Sequence, residues 1–259
     1  MSDAIIYLED VTVDYDGFRA LDRLNFLMDR RELRVVIGPN GAGKTTLLDV
    51  ISGRVKPEHG RVIFGRATDL TGLGENEIAT LGVGRKFQTP SVFVNLSVWE
   101  NVELSLRRPS KGVLATLFDR EGGQARERIA AALDAVGLGA KSGVQAGALS
   151  HGEKQWLEIG MVMAQDPELL LVDEPVAGLT DEETARTGEL LLSIAAERSV
   201  LVIEHDMEFV RQIARTVTVL HQGTVLCEGP VDRVQTDPRV LEVYLGRASA
   251  SQEEADAVR

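Results

Sequence analysis

Gly38-Pro39-Asn40-Gly41-Ala42-Gly43-Lys44-Thr45 follows the spacing G-x-x-x-x-G-K-[ST] in full. Glycines at those positions let the backbone curl so that several N–H groups converge on one point. A helix starting at the lysine adds the positive end of its dipole. The chemistry this suits is the binding of a nucleoside triphosphate. Lys44 is expected to reach the β- and γ-phosphates, and Thr45, with Thr46 beside it, to present a hydroxyl to Mg²⁺. A second candidate lies far downstream, where the apolar run Leu169-Leu170-Leu171-Val172 ends in Asp173-Glu174. In a phosphate-binding enzyme a carboxylate at such a strand end meets the metal shell, which suits Asp173. The next carboxylate, Glu174, is placed to polarise an attacking water.

The elements that must position these groups are legible in outline. Ile5 to Tyr15, rich in β-branched and aromatic residues, reads as a strand. Arg34 to Ile37 is a short strand feeding the glycine turn. Lys44 to Ile51 is helical, and Gly53 sits where a helix ends. Arg61 to Phe64 is another strand. Between Gln88 and Leu149 the pattern turns helical, with Ile129, Ala132, Leu133 and Val136 at helical spacing and Gly137 closing that helix. Thr180 and Glu183 form a capping box ahead of a helix containing Leu191, Leu192 and Ala195. Val200 to Ile203 is an apolar strand running into Glu204-His205-Asp206. Two further strands, near Val217 and Val225, flank a turn at Gln222-Gly223. Alternating strands and helices predict a parallel α/β core.

Composition narrows the function. The chain has 259 residues and a formal net charge of −12, a balance that repels phosphate backbones and argues against a nucleic-acid partner. Cys227 is the single cysteine, so no intramolecular disulfide forms, and a reducing compartment is the expectation. No apolar run approaches the roughly 20 residues that cross a bilayer. Met1 to Asp10 carries acids and no basic start, unlike a signal peptide. The expected location is the cytoplasm, with any membrane role exercised through partners. Four histidines and one cysteine show no zinc-ligand spacing. His59 and His221 read as surface turn residues.

Taken with Leu149-Ser150-His151-Gly152-Glu153, these motifs resemble one family, the ABC-transporter ATPases. That segment is similar to the family signature, written L-S-G-G-Q, and lies before the acidic strand as the family has it. Gln88 resembles the Q-loop glutamine, His205 the switch histidine and Tyr15 the aromatic that stacks on adenine. The resemblance implies a P-loop NTPase core with an N-terminal antiparallel β subdomain and an inserted α-helical subdomain. The core and β subdomain would occupy 1–88 and 164–246, the helical subdomain with the signature 89–163, and a polar tail 247–259. It also implies a site shared head to tail by two chains, an identical copy or a sibling ATPase. ATP on the cradle of one chain is covered by the other's signature, with Ser150, Gly152 and Glu153 at the partner's nucleotide. Gln88 joins the γ-phosphate and Mg²⁺ to the helical part, which docks on integral-membrane permease subunits. His205 senses the γ-phosphate. The machine would sit on the inner face of the cell membrane and receive its solute from a binding protein outside.

Two departures stand out. His151 replaces the usual glycine, and Glu153 replaces glutamine, so its extra carboxylate must turn away from phosphate or find a cation, with Lys154 adjacent. In the loop after the acidic strand, Ala177-Gly178-Leu179-Thr180 stands where Ser-Ala-Leu-Asp is common, and Asp181 falls one later, leaving Thr180 as a helix cap. The run Asp181-Glu182-Glu183 reads as a solvated first helical turn. Phe93, Leu96, Val98 and Trp99 suit either a groove for a membrane partner or ordinary core.

Finer strings separate members of the family. Arg85-Lys86-Phe87-Gln88-Thr89-Pro90, Val202 to Met207 and Tyr244-Leu245-Gly246 resemble the ATPases of branched-chain amino-acid and urea uptake. Leu149-Ser150-His151-Gly152 followed by Lys154 to Met161, with Pro175 to Thr184, is most similar to the urea member. The expectation is therefore a Mg²⁺-dependent ATPase driving uptake of a small polar solute, urea first and amino acids as the alternative. A P-loop kinase and a non-transport ABC ATPase rank lower.

Overall fold

A computed structural model describes residues 3–86, 92–106 and 121–244. Two sheets organise them. β1 (Ala4–Tyr15), β2 (Phe18–Asp29), β4 (His59–Phe64) and β5 (Thr68–Asp69) form an antiparallel sheet in the order β2-β1-β4-β5. β3 (Leu33–Ile37), β6 (Val83–Lys86), β7 (Leu169–Asp173), β8 (Ser199–Ile203), β9 (Thr216–His221) and β10 (Thr224–Gly229) form the second, in the order β10-β9-β3-β8-β7-β6. Its pairs are parallel except the hairpin β9–β10.

Every residue of β3, β7 and β8 is buried, which accounts for their unbroken apolar runs. Side chains alternate across a strand, so the parallel sheet feeds two cores. Val36, Leu169, Leu171, Leu201 and Ile203 pack toward the antiparallel sheet and α1 (Lys44–Ile51). Val35, Ile37, Leu170, Val172, Val200 and Val202 pack on the opposite face, against helices. Those helices include α3 (Val98–Ser105), α4 (Glu121–Ala135), α5 (His151–Met163), α6 (Asp181–Ala195), α7 (Met207–Ile213) and α8 (Val231–Thr236), whereas α2 (Glu75–Thr80) joins the other core through Ile78.

The described residues between 92 and 163 are helical, as the spacing predicts, but they do not build a core of their own. Val98, Val102, Ile129, Leu133 and Trp156 join the same apolar cluster as Val35 and Val172. Gly137 follows α4 with φ 71°, and Gly53 follows α1 with φ 78°. β2, β5 and β6 were not expected. β2 is an edge strand in which Ala20 and Leu21 are both buried and Leu27 is exposed, which breaks its alternation. Among the described residues no helix is long and apolar enough to cross a membrane.

A candidate nucleotide site at the carboxyl edge of the parallel sheet

β3 is flanked in parallel by β8, β8 by β7 and β7 by β6. Their carboxyl ends therefore open on one edge, where ligands bind in open α/β sheets. β3 runs into the loop 38–43, β7 into Glu174, β8 into Glu204-His205 and β6 toward Gln88. Gln88 itself lies outside the described residues. Register ties the ends together: Asp173 pairs with Ile203, Glu174 N–H donates to Ile203 O at 3.0 Å, and Glu204 N–H donates to Val36 O at 3.2 Å.

The loop is held from behind. Gly223 N–H donates to Ala42 O at 3.1 Å, seating the β9–β10 turn against it, and Ala42 N–H donates to Pro39 O at 3.1 Å. Gly43 has φ 99°, and a Cβ there would stand 2.4 Å from Ala20 O. Gly41 has φ 80° with open space around it. Lys44 opens α1 and is 8% exposed. Its ammonium donates to Gly38 O at 2.6 Å and Pro39 O at 3.2 Å, folding over the loop it follows. Pro39 is buried, Asn40 and Thr45 are exposed, and Thr46 is half-buried. The C-terminal segment reaches the loop as well. Burial pushes the Tyr244 phenol up, and a hydrogen bond with the Gly38 backbone works against that rise.

Asp173 is 4% exposed. Burial raises its carboxyl above the ordinary range, Arg85 pulls it back, and Glu174 adds to the rise. Arg85 is held by Asp49 at 2.6 Å and Ser52 at 2.8 Å, which links β6 to α1. A divalent cation would relieve the cost of charging a buried carboxylate, so the residues present fit a Mg²⁺ ion between Asp173 and the Thr45 hydroxyl. Among the described residues no three His, Cys, Asp or Glu side chains cluster to hold a metal by themselves, so such an ion would draw its other ligands from nucleotide and water. Glu174 has φ 44°, and its Oε1 lies 3.5 Å from His205 Nδ1. The two side chains are thus brought together from different strands.

Glu204 escaped notice in the sequence, where it read only as part of Glu-His-Asp. It is 1% exposed, and its Oε2 accepts the N–H groups of His205 at 2.9 Å and Asp206 at 3.3 Å. Its Oε1 accepts the Val176 N–H at 3.4 Å. Burial raises its carboxyl and the three N–H groups oppose that rise. Glu204 therefore clips the histidine loop to the loop that follows Glu174.

The segment 149–153 starts α5. Ser150 is its cap, accepting the Glu153 N–H at 3.1 Å, while the Glu153 carboxylate accepts the Ser150 N–H at 3.1 Å. Glu153 thus faces its own helix end, and its cation is Lys141, not the adjacent Lys154. Burial works to raise the Glu153 carboxyl, but Lys141 and the Ser150 N–H outweigh it, leaving it below the usual range. His151 Nε2 lies 3.3 Å from Ala177 O. Thr180 caps α6, with Asp181 as its first residue. Asp181 and Glu182 are exposed as expected, and the half-buried Glu183 also accepts the Ser150 hydroxyl at 2.9 Å.

Tyr15 ends β1 opposite Phe18 across a tight hairpin, and both rings are exposed, at 46% and 60%. Tyr15 is therefore not core. Phe93 is exposed, Leu96 is half-buried, Val98 is core, and Trp99 packs on the core's margin. His59 opens β4 on its exposed side, and His221 ends β9 before the turn.

Comparison with known proteins adds the following. A family model described as ABC transporter matches residues 21–177, and one described as branched-chain amino acid ATP-binding cassette transporter matches residues 224–250. The chain is 34% identical over 256 residues to the high-affinity branched-chain amino acid transport ATP-binding protein LivG of Escherichia coli, covering 96% of this chain and 100% of the relative. It resembles the crystal structure of the ADP conformation of MJ1267, an ATP-binding cassette of an ABC transporter, with a TM-score of 0.82 at 30% identity over 94% of this chain and 99% of that one. The dimeric post-hydrolysis state of the cassette MJ0796 with ADP and Pi matches with a TM-score of 0.73 at 25% identity, covering 87% of this chain and 98% of that one.

Proposed function

The chain belongs to the ABC-transporter ATPases, and from that membership we propose that it is the ATP-hydrolysing subunit of an importer for small polar solutes. The observation that carries this reading is the convergence of the glycine loop, Asp173-Glu174 and His205 on the carboxyl edge of one parallel sheet. Membership in the family sets the P-loop kinase aside, because the signature and switch histidine have no task in a kinase.

Each residue then has a task in hydrolysis. The N–H groups of Gly38 to Thr45, with Thr46 beyond them, cradle the phosphates, and Lys44 exchanges its two loop carbonyls for β- and γ-phosphate oxygens. Thr45, Asp173 and Gln88 would hold Mg²⁺, which would supply positive charge beside the phosphates. Glu174 takes the proton of the attacking water at its carboxylate. His205, 3.5 Å away, meets the γ-phosphate and orients Glu174. Tyr15 supports the adenine ring. Ser150, Gly152 and Glu153 belong to the second half-site, which faces nucleotide bound to another copy or a sibling ATPase. The exposed Phe93 side chain belongs to the face that meets permease subunits at the inner side of the membrane.

Branched-chain or other amino acids are the favoured cargo. The match over residues 224–250 and the LivG relative support this, and it displaces urea as the first reading. Urea stays as the second because of one observation, the string from Leu149 through Met161. The test is hydrolysis by the complex co-purified with its membrane subunits, with a solute-binding protein delivering leucine or urea. Stimulation by leucine alone is expected; stimulation by urea alone overturns the amino-acid reading.

A further inference from the structure

The end of α5 that would face a partner's nucleotide already holds an anion from its own chain. Ser150 Oγ donates to Glu183 Oε1 at 2.9 Å, and the same carboxylate lies against Gly152. The fit is close, since a Cβ added to Gly152 would lie 2.6 Å from Glu183 Cδ and Oε1. The other oxygen, Oε2, stays at home: it accepts the Thr180 N–H at 3.2 Å and the Thr180 hydroxyl at 3.3 Å in the capping box of α6. His151 adds a second tether across the same gap, through Ala177 O at 3.3 Å.

These contacts have a common consequence. The free N–H groups and cap hydroxyl of a helix start attract one anion at a time. A carboxylate and a phosphate cannot both take the Ser150 hydroxyl and occupy the space beside Gly152, and like charges disfavour their approach. Among the described residues Glu183 forms no ion pair; Lys141 is engaged with Glu153, and Arg186 lies over the Trp156 ring at 4.2 Å. Release need not unfold anything, because Oε2 keeps α6 capped while Oε1 lets go.

We infer that Glu183 is a built-in occupant of the signature's anion seat, displaced when the γ-phosphate of a second ATPase chain arrives. The inference rests on the shared-site reading above. It makes Glu183 a positioning residue: it holds Ser150 and the loop after Glu174 in register before pairing, and sets the ATP level at which pairing occurs.

The experiment compares the complex carrying the unaltered chain with complexes carrying Glu183→Gln, which keeps a capping acceptor without the charge, and Glu183→Asp, whose shorter arm withdraws from Gly152. The apparent KM for ATP is expected to fall about fivefold for Glu183→Gln, the low end of typical coupling between sites, and to fall less for Glu183→Asp. The difference should shrink as salt is raised. An unchanged or raised KM in the folded variants overturns the inference and leaves Glu183 a cap. Gly152→Asp separates this from failure of the shared site. Full hydrolysis with an aspartate fixed at position 152 removes the shared-site reading and the inference with it. Loss of hydrolysis there, with no effect of the Glu183 variants, removes the inference alone.

Discussion

Glu174 holds a backbone with φ 44°, a conformation residues with a Cβ adopt rarely and at a cost of roughly 1–3 kcal/mol. Its N–H bond to Ile203 O fixes that turn, and the side chain is thereby sent toward His205 and away from the strand axis. Strain kept at a carboxylate beside a histidine supports the proposed role of Glu174 in activating water. Glu174→Gln is therefore expected to retain ATP binding and lose roughly 10²- to 10⁴-fold in turnover, the usual scale for general acid–base catalysis. Phosphate release beside a nucleotide-binding titration checks this, and near-normal hydrolysis would remove Glu174 as the base. The identity of Asp173 and Glu174 as candidates was legible in the sequence, from a carboxylate pair after an apolar run. The strained backbone was not, because φ depends on what the next strand offers as an acceptor. Glu204 was missed for a similar reason: its sequence neighbours mark it as loop, and only its three N–H partners make it a clip.

At the scale of elements, the glycine loop shows two different needs for the same residue type. Gly41 needs glycine only for its left-handed backbone, whereas Gly43 also has Ala20 O at 2.4 Å and Leu21 Cδ2 at 2.9 Å from where a Cβ would go. Gly41→Ala should cost about 1–2 kcal/mol. Gly43→Ala should cost clearly more, since the loop must part from β2. Urea denaturation of the two variants decides it, and equal losses would mean that the contact with β2 is not limiting. The capping boxes at Ser150 and Thr180 were open to sequence reasoning because they are local, a cap and an acid three residues on. β6 was not, because Val83-Gly84-Arg85-Lys86 is short and polar and becomes a strand only by pairing with β7.

For the whole molecule, the two half-sites lie on different parts of one chain. The loop 38–45 follows β3, whereas Ser150 and Gly152 open α5 and are tied to α6. A site assembled from two chains depends on their meeting. Specific ATPase activity should therefore rise with protein concentration until pairing saturates. A flat dependence down to clearly monomeric protein would argue for a self-contained site.

The amino-acid order by itself determined the glycine loop, the acidic pair and the alternation that builds a parallel sheet, while His205 stood out only through the resemblance to a family. Each is a short pattern whose meaning lies in backbone conformation and local hydrogen bonding, which nearby residues set. Tertiary structure alone decided which strand ends lie side by side, that Lys141 answers Glu153, that Glu204 joins two loops, and that Glu183 sits on the signature. The side-chain pairings span from 12 residues for Lys141–Glu153 to 33 for Ser150–Glu183, and the strand ends far more, as in Val36 beside Ile203. No local pattern encodes them, because they arise when the packing of whole elements brings distant charges to the same few ångströms.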